Sequence, residues 1–289
     1  MFPANFEYRC PTSIAEALGL LKDHGENAKL LAGGQSLIPI LKLRLAEPQL
    51  LVDIGRLAEL RGIQETDGSI QIGSLVRHVE IERSQLLARV CPLLPETAAE
   101  IGDVQVRNRG TLGGSLAHAD PAGDFPAAAL ALEARLTAAS IDGQRSIAAQ
   151  DFFTGLMMTA LRPNEILTSI AVPKQGARSG SAYAKLHQQA SGFAIVGVAS
   201  LVRLDAAGKV GDVRVGITGV ADRPYRARGV EERLRGSVPG RKEIRAASAL
   251  AADGVEPLGD IHASEDYRRD LAAVFTVRSL LKAVERARG

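Results

Sequence analysis

The sequence predicts an α+β protein in two parts, an N-terminal domain over residues 1–177 and a smaller C-terminal domain over residues 178–289. Short strand and helix patterns alternate in the first part, whereas three strand patterns followed by helices make up the second. Between them, the polar, glycine-containing run KQGARSG at residues 174–180 is typical of a linker. A chain of 289 residues with 46% hydrophobic residues is long enough for two such domains.

Residues 1–55 show the pattern of a βαβ-like unit. Ser13 and Glu16 have the spacing of a capping box before a helix whose apolar residues share one face. Gly25 is placed to end that helix. Strands are predicted at residues 5–9, 29–32 and 49–54.

Residues 56–177 contain two hairpin signals. Asp67-Gly68 and Asp142-Gly143 each separate runs with strand character and predict antiparallel pairs. Helix patterns lie between the hairpins, around a polar, glycine-rich stretch at residues 107–124. Helices are predicted at residues 75–90, 96–101 and 126–134, and a further strand at residues 165–172.

The C-terminal part is predicted to be a three-stranded antiparallel sheet with a helical bundle. Residues 205–208 make a tight connection between two of the strand patterns, which favours antiparallel pairing. The strands are predicted at residues 181–187, 193–204 and 210–220, and the helices at residues 225–235, 241–252 and 264–288.

Composition and charge argue against several functional classes. The net charge is +2 and no long basic run is present, which argues against nucleic acid as a partner. The most apolar stretches are far shorter than the roughly 20 residues of a membrane span. No basic-then-apolar leader opens the chain, so we expect no membrane span and a cytoplasmic protein.

Cysteine and histidine usage argues against a metal site. Cys10 and Cys91 are too few to ligate an iron–sulfur cluster or a structural zinc, and we expect both to be buried and reduced. The five histidines are scattered and are expected to be structural. We therefore predict no metal ligands and no catalytic residue in this chain, and any redox chemistry would need an organic carrier.

Two glycine-rich turns are the strongest functional signal in the residues themselves. Gly33-Gly34 and Gly113-Gly114 are each followed by a serine and a leucine. Paired glycines let a backbone approach a ligand closely, and their N–H groups can converge on an anion. Each turn alone is more typical of a tight strand-to-helix connection, and two of them together make a diphosphate site an equal alternative. The chain contains neither the Rossmann nor the P-loop glycine motif.

Three polar residues near the second turn have two interpretations each. Asp124 precedes a helix pattern, so its carboxylate either caps that helix or accepts a hydrogen bond from a sugar or ribityl hydroxyl. Arg107 and Arg109 either assist a phosphate or a partner subunit, or form surface salt bridges.

The segments AGGQSLI at residues 32–38 and RNRGTLGGSLAHADPAGD at residues 107–124 resemble the FAD-binding medium subunit of molybdenum hydroxylases. This group includes the carbon monoxide dehydrogenases of aerobic bacteria, quinoline and nicotine dehydrogenases, and xanthine dehydrogenase. The likeness extends over essentially the whole chain, through DFFTG at residues 151–155, AYAK at residues 182–185 and FAIVGVA at residues 193–199.

The resemblance implies a two-part FAD-binding domain of the p-cresol methylhydroxylase and vanillyl-alcohol oxidase type. Its subdomains would span about residues 1–55 and 56–177, with the C-terminal domain following. The cofactor would be FAD. The residues that it implies around the FAD pyrophosphate and adjoining groups are Ala32, Gly33, Gly34, Gln35, Ser36, Leu37, Thr111, Gly113, Gly114 and Ser115.

The resemblance also implies contacts with the rest of FAD. Asp124 would contact ribityl or ribose hydroxyls, and Ile166 and Leu167 would pack near the adenine or the dimethylbenzene edge. Lys185 would stabilise negative charge on reduced flavin, and Phe193 would lie near the isoalloxazine ring. Without the resemblance, Lys185 is typical of a solvated strand lysine and Phe193 of a sheet core.

Two departures from the family pattern affect this assignment. Many relatives have Asn at the position of Ser115, which shortens one hydrogen-bonding arm here. Many also have arginines and an acidic residue in the segment that Gln188–Gly192 occupies. That segment would border the flavin, so the departure bears on the electron acceptor.

The implied function is that of an electron-relay subunit. It would take electrons one at a time from a small subunit with two [2Fe–2S] clusters and pass them to a quinone, NAD or another carrier. Hydroxylation would take place on a large molybdopterin subunit, in a dimer of heterotrimers. The alternatives are a self-contained flavin-dependent oxidoreductase of the same fold and a flavin-free structural subunit.

Overall fold

A three-stranded parallel sheet forms the first layer of the protein. The structure, a computed structural model, describes residues 2–289. The sheet has the order β1-β3-β2, as expected for a βαβ unit. Ser13 caps the first helix, accepting a hydrogen bond from the Glu16 amide, and Gly25 ends it with φ of 54°. The elements are β1 (Glu7–Arg9), α1 (Ile14–His24), a 3₁₀ turn (Gly25–Asn27), β2 (Ala28–Leu31), α2 (Leu37–Lys42) and β3 (Leu50–Asp53).

The second layer is a five-stranded antiparallel sheet with helices packed on it. Its order is β4-β5-β10-β6-β7, and both predicted hairpins, β4–β5 and β6–β7, are present. The elements are a 3₁₀ turn (Ala58–Leu60), β4 (Ile63–Glu65), β5 (Ser69–Gly73), α3 (His78–Glu82), α4 (Gln85–Val90), α5 (Leu93–Ala99), α6 (Val104–Arg109), α7 (Leu112–His118), α8 (Asp124–Ala131), β6 (Arg135–Ser140), β7 (Gly143–Ala148), α9 (Ala149–Phe152), β8 (Phe153–Gly155), β9 (Met158–Thr159) and β10 (Ile166–Pro173).

The helices of this second layer differ from the sequence prediction in three places. The single helix expected at residues 75–90 is two helices, because Ser84 caps α4 and accepts a hydrogen bond from the Leu87 amide. The helix expected at residues 96–101 begins earlier, at Leu93 after Pro92. The glycine-rich stretch at residues 107–124 contains the end of α6 and all of α7, so Gly113 and Gly114 are helical.

The C-terminal part is an antiparallel sheet followed by three helices. The three predicted strands are present, and a two-residue fourth strand extends the order to β11-β12-β13-β14. Tyr225 and Arg226 were expected to begin a helix, but they pair with Ile217 and Gly216 instead. The elements are β11 (Ser179–His187), β12 (Ala194–Leu204), β13 (Val210–Thr218), β14 (Tyr225–Arg226), α10 (Arg228–Leu234), α11 (Arg241–Ser248) and α12 (Glu265–Arg288).

The C-terminal sheet is covered on both faces. Val198 and Val202 of β12 belong to the core that it shares with α10, α11 and α12. Ala199 and Leu201 point the other way, into the core built by α8 and the five-stranded sheet. Helix α8 therefore joins the two parts of the chain, and the residues around its start are held by both. No helix within residues 2–289 is long and apolar enough to cross a membrane.

Gly216 of β13 is where α8 approaches the sheet most closely. A Cβ atom at this position would lie 3.0 Å from the Ala127 carbonyl carbon and 3.2 Å from the Ala131 amide nitrogen. These are backbone atoms of α8, so the helix itself would have to move.

We expect Gly216→Ala to lower the free energy of unfolding by about 1–3 kcal/mol, the usual cost of overpacking a core. Gly211→Ala, in the same strand, is the matched control, because the nearest atom to its added Cβ is 3.6 Å away. Denaturant unfolding of both variants measures the difference. Equal stability of the two variants would show that α8 does not depend on this close approach.

Candidate functional site

The two glycine turns predicted from the sequence, the first at residues 32–37 and the second at residues 110–115, lie in direct contact. Ala32, Gly33 and Gly34 follow β2, and Gly34 has φ of +75°. A Cβ atom on Gly33 would overlap the Arg109 carbonyl oxygen and lie 2.9 Å from both the carbonyl carbon and the Gly110 Cα. Only glycine at position 33 leaves room for this packing of backbone on backbone.

The first turn presents unused backbone donors. It leads into α2, whose first N–H groups lack partners within the helix, and the Ser36 side chain makes no capping bond. The amides of Gly34 to Leu37 have no backbone acceptor among residues 2–289. Converging N–H groups at the start of a helix attract an anion. The first turn thus has the donor chemistry expected of a phosphate-binding segment.

The second turn differs from the first because its amides are already engaged. Leu112 and Gly113 donate to the carbonyls of Val76 (2.9 Å) and Ser74 (2.8 Å). Gly114 donates to the Thr111 hydroxyl (3.1 Å), and Ser115 to the Thr111 carbonyl (3.0 Å). The expectation of two equivalent anion-binding turns is therefore wrong in this respect. The backbone amides of residues 112–115 are thus used within the protein, whereas those of the first turn are free.

An arginine-rich cleft of about 270 Å³ opens where the two turns meet. We call it the arginine cleft. Arg61 donates to the Gly55 carbonyl at 2.6 Å, and Arg77 pairs with Glu80 at 3.0 Å. Guanidinium groups and backbone amides together are the usual surroundings of a phosphate. The cleft is lined by Ala32, Gly33, Asp53, Gly55, Arg56, Arg61, Leu75, Arg77, Arg109 and Thr111.

Most residues of the arginine cleft were not identified from the sequence. Only Ala32, Gly33 and Thr111 were expected to bind the ligand, and Arg109 had two interpretations. A signal for Asp53 and Gly55 was present, because β3 was predicted and is parallel to β2. The carboxyl ends of parallel strands meet at one edge of a sheet, where ligands bind. Nothing comparable marked Arg56, Arg61 or Arg77.

A second polar group lies where α8 meets the C-terminal sheet. The Lys185 ammonium donates to Asp124 Oδ2 at 2.9 Å and to the Glu100 carbonyl at 2.8 Å. The Tyr183 hydroxyl donates to Asp124 Oδ1 at 2.6 Å. We call these four residues the Lys185 cluster. The Lys185 side chain is completely buried, so the interpretation as a solvated strand lysine is wrong.

Asp124 is the anionic centre of the Lys185 cluster. It is the first residue of α8, and Gly123 occupies the cap position, so the capping interpretation is wrong. Burial raises the pKa of Asp124 to about 6, although Lys185 and Tyr183 act in the opposite direction. Burial and the neighbouring Asp124 raise the pKa of Tyr183 well above its usual value, which keeps its hydroxyl a donor. Each carboxylate oxygen retains a lone pair for a further donor.

The loop before Asp124 is held by the C-terminal sheet. The Thr218 hydroxyl oxygen lies 2.7 Å from the Pro121 carbonyl and 2.8 Å from the Gly123 carbonyl, which share its one hydrogen. The Gly219 amide also donates to Pro121, and the Ala194 amide to Ala122. The position of Asp124 is thus fixed from both sides.

Phe193 lies immediately before β12, and residues 188–193 form what we call the Phe193 loop. Its side chain is 46% exposed, so the interpretation as a sheet-core residue is wrong. The Gln188 amide donates to the Phe193 carbonyl at 2.8 Å, which closes the loop. An exposed aromatic ring on a closed loop offers a flat surface to a ligand or a partner.

Ile166 and Leu167 are core residues of β10. Ile166 is 0% and Leu167 5% exposed, and they face the cores on opposite sides of the five-stranded sheet. The preceding Glu165 is buried and accepts two hydrogen bonds from Arg145, at 2.7 and 2.8 Å. Arg145 holds the pKa of Glu165 below its usual range. Within residues 2–289, the structure does not place Ile166 or Leu167 among the residues that line the arginine cleft.

His78 contacts the second turn at Gly110. Its amide donates to the Gly110 carbonyl at 3.0 Å, and its ring packs on Phe125 with centroids 5.2 Å apart. A Cβ atom on Gly110 would lie 2.5 Å from His78 Nε2. Burial, with a contribution from Arg107, lowers the pKa of His78 to about 4, so the ring is neutral at pH 7.

Two family models match successive parts of the chain. The model described as "FAD binding domain in molybdopterin dehydrogenase" matches residues 4–175. The one described as "CO dehydrogenase flavoprotein C-terminal domain" matches residues 181–283. The chain belongs to the FAD-carrying subunits of the molybdenum hydroxylases. This confirms the family, the FAD cofactor and the oxidoreductase class expected from the segments at residues 32–38 and 107–124.

Relatives and solved structures agree with this assignment of the flavin subunit. It is 38% identical over 288 residues to the "6-hydroxypseudooxynicotine dehydrogenase complex subunit alpha" of Paenarthrobacter nicotinovorans, covering 100% of this chain and 97% of that one. It is 39% identical over 280 residues to the carbon monoxide dehydrogenase medium chain of Hydrogenophaga pseudoflava, covering 97% of each. A solved carbon monoxide dehydrogenase from that organism superposes with a TM-score of 0.96 at 40% identity, over 99% of each chain.

The residues of the flavin subunit fit a diphosphate-containing flavin. The first turn supplies free amides, Gly33 keeps the two turns in contact, and the arginine cleft supplies positive charge beside them. Bound FAD would supply the redox chemistry. The chain's own residues bind the cofactor and shape its surroundings.

The buried neutral His78 predicts a defined pH dependence of stability. The pKa of His78 is 6.5 in the unfolded chain and about 4 in the fold. The neutral ring therefore contributes stability above pH 6.5, and this stability is lost as the pH falls toward 4. At about 1.4 kcal/mol per pH unit, wild type loses up to about 3 kcal/mol between pH 7 and pH 4 relative to His78→Gln. Urea unfolding at several pH values measures this difference. The exposed His187→Gln is the control and should track wild type; a pH-independent difference for His78→Gln would contradict the assignment.

Removing one charge of the Lys185 cluster leaves the other buried and unpaired. We expect Lys185→Met to lower the free energy of unfolding by about 3–5 kcal/mol at pH 7. The double variant Lys185→Met, Asp124→Asn should recover much of this loss, because no net charge then remains buried. Unfolding of the FAD-free chains keeps cofactor binding out of the comparison. Additive losses in the double variant would show that the two side chains do not interact.

Proposed function

We propose that this flavin subunit relays electrons from a small subunit with two [2Fe–2S] clusters to an external acceptor. In this proposal a large molybdopterin subunit hydroxylates the substrate, and the three chains assemble as a dimer of heterotrimers in the cytoplasm. Membership of a family of multi-subunit enzymes supports the proposal. The observation that carries it is the arginine cleft at the contact between the two glycine turns.

The distribution of charge favours one orientation of FAD. Unpaired amides of the first turn and the guanidinium groups of the arginine cleft would hold the diphosphate. The exposed ring of Phe193 and the Lys185 cluster would surround the isoalloxazine end. Helix α7 begins at the arginine cleft, and the loop that follows it leads to Asp124, so these elements would lie along the cofactor.

Individual roles follow from this orientation. Ala32 to Leu37 would bind the diphosphate through backbone donors. Thr111 to Ser115 would restrict its position by steric contact. Asp124 would accept a hydrogen bond from a hydroxyl of the ribityl chain or ribose through a remaining lone pair. Ile166 and Leu167 would act on the site only through the core beneath it, because both are buried.

We propose the domain boundary at residues 177/178.

A positive charge in the arginine cleft should favour FAD over a flavin that has no diphosphate. We expect Arg109→Gln to weaken FAD binding roughly tenfold or more, the effect of losing one charge-assisted hydrogen bond. Riboflavin, which lacks phosphate, should bind wild type and the variant equally. The exposed Arg241→Gln in α11 is the control. Fluorescence titration of the FAD-free chain measures all three, and an equal loss for riboflavin would argue against a diphosphate at this cleft.

The relay role is tested by comparing the isolated chain with the assembled complex. The FAD-loaded chain alone should show no steady turnover with small organic substrates and an artificial acceptor. Co-expression with an iron–sulfur and a molybdopterin subunit should yield a stable complex in which the flavin is reduced by substrate. Sustained turnover by the isolated chain would instead identify a self-contained flavoenzyme, and a colourless protein after FAD addition would identify a flavin-free subunit.

A further inference from the structure

Arg107 makes a half-buried salt bridge and is not among the residues that line the arginine cleft. Its side chain is only 16% exposed, and its Nε donates to Glu82 of α3 at 2.9 Å. Its Nη1 donates to the Ile101 carbonyl at 2.9 Å and approaches the Gly102 carbonyl at 3.4 Å. The guanidinium therefore holds the short turn that connects α5 to α6. We call residues 100–102 the 100–102 turn.

The 100–102 turn is held by two cations at once. Lys185 donates to the Glu100 carbonyl at 2.8 Å, from the C-terminal sheet. Arg107 donates to the carbonyls of the next two residues from α6. Hydrogen bonds from charged donors are about twice as strong as neutral ones. Both ends of this turn are consequently fixed relative to the Lys185 cluster.

The 100–102 turn is also the surface against which the Phe193 loop packs. Gly192 has φ of +74°, and a Cβ atom on it would lie 2.9 Å from the Gly102 Cα. Backbone thus meets backbone one residue before Phe193. The loop is closed by the bond from the Gln188 amide to the Phe193 carbonyl and by that from the Gly192 amide to the Gln188 carbonyl, both 2.8 Å.

We propose that Arg107 is a positioning residue for Phe193, acting through the 100–102 turn and Gly192. The inference rests on the proposed function in one respect, that Phe193 lies beside the flavin ring. Helix α6 then serves both ends of the cofactor. The Arg109 carbonyl at its end packs on Gly33 of the first turn, while Arg107, two residues earlier, sets the aromatic residue at the other end.

The first test needs no flavin. Hydrogen exchange of the FAD-free chain reports on the amides of Gln188, Gly192 and Phe193, which are hydrogen-bonded in the closed loop. We expect Arg107→Met to speed exchange in the peptide covering residues 188–193 roughly tenfold, by loosening its support. Arg107→Lys should restore part of the protection. The exposed Arg83→Met, beside Glu82, is the control, and unchanged exchange in Arg107→Met overturns the proposal.

The second test uses the FAD-loaded chain. Arg107→Met, Gly192→Ala and Phe193→Leu should each shift the flavin midpoint potential and at least double the iodide quenching of flavin fluorescence, because the ring loses its cover. In the Phe193→Leu background, Arg107→Met should add no further change, as expected for residues acting on one contact. Additive changes would overturn the positioning role.

The two tests separate failure of the inference from failure of the proposed function. If Phe193 does not lie beside the flavin, Phe193→Leu itself leaves the potential and the quenching unchanged, while Arg107→Met still loosens the loop. If Arg107 does not position Phe193, Phe193→Leu changes both flavin readouts and Arg107→Met changes neither.

Discussion

The close packing of Gly33 on the Arg109 carbonyl is the contact on which the site depends. It joins the parallel sheet of β1, β2 and β3 to α6, a helix that lies between β5 and β6 in the chain, and the two sheets also share a core. The contact is made by backbone atoms, so no change of rotamer can accommodate a side chain there. Because this contact fixes the first turn against α6, the free amides of the turn and the guanidinium groups around it face the same cleft.

A buried and a half-buried ion pair fix the parts of the site that lie beyond this contact. Lys185 with Asp124, and Arg107 with Glu82, each use charged donors on backbone carbonyls as well as on a carboxylate. Burying a charge pair rarely adds net stability, since desolvation offsets the attraction. Its effect is geometric, because every donor must find its acceptor. Here both pairs converge on the 100–102 turn, which therefore has one defined position.

Local signals in the sequence predicted most elements of the fold. The Asp67-Gly68 and Asp142-Gly143 turns predicted the two hairpins, and Ser13 and Gly25 mark the two ends of α1 that the structure confirms. These residues act within a few positions of themselves, so one sequence suffices to interpret them. Tyr225 and Arg226 were misassigned because their partners, Ile217 and Gly216, lie in another strand.

The site was harder to predict than the fold for the same reason. The glycine pairs identified the two turns, but the loss of free amides at Leu112 and Gly113 depends on pairing with Val76 and Ser74, far away in sequence. Lys185 resembles a solvated strand lysine until α8 covers it, and Phe193 resembles a core residue until its loop turns outward. Alternation along a strand says which residues share a face, but not what covers that face.

The pairing of Lys185 with Asp124 changes how this cation acts on a nearby ring. Above the Asp124 pKa of about 6 the pair has no net charge, so its field is that of a dipole and weakens faster with distance than that of a lone ammonium. Below that pH the carboxyl is neutral, and the full positive charge of Lys185 remains. Gln188 to Gly192 bear no charge, so this segment adds none to the field of the pair.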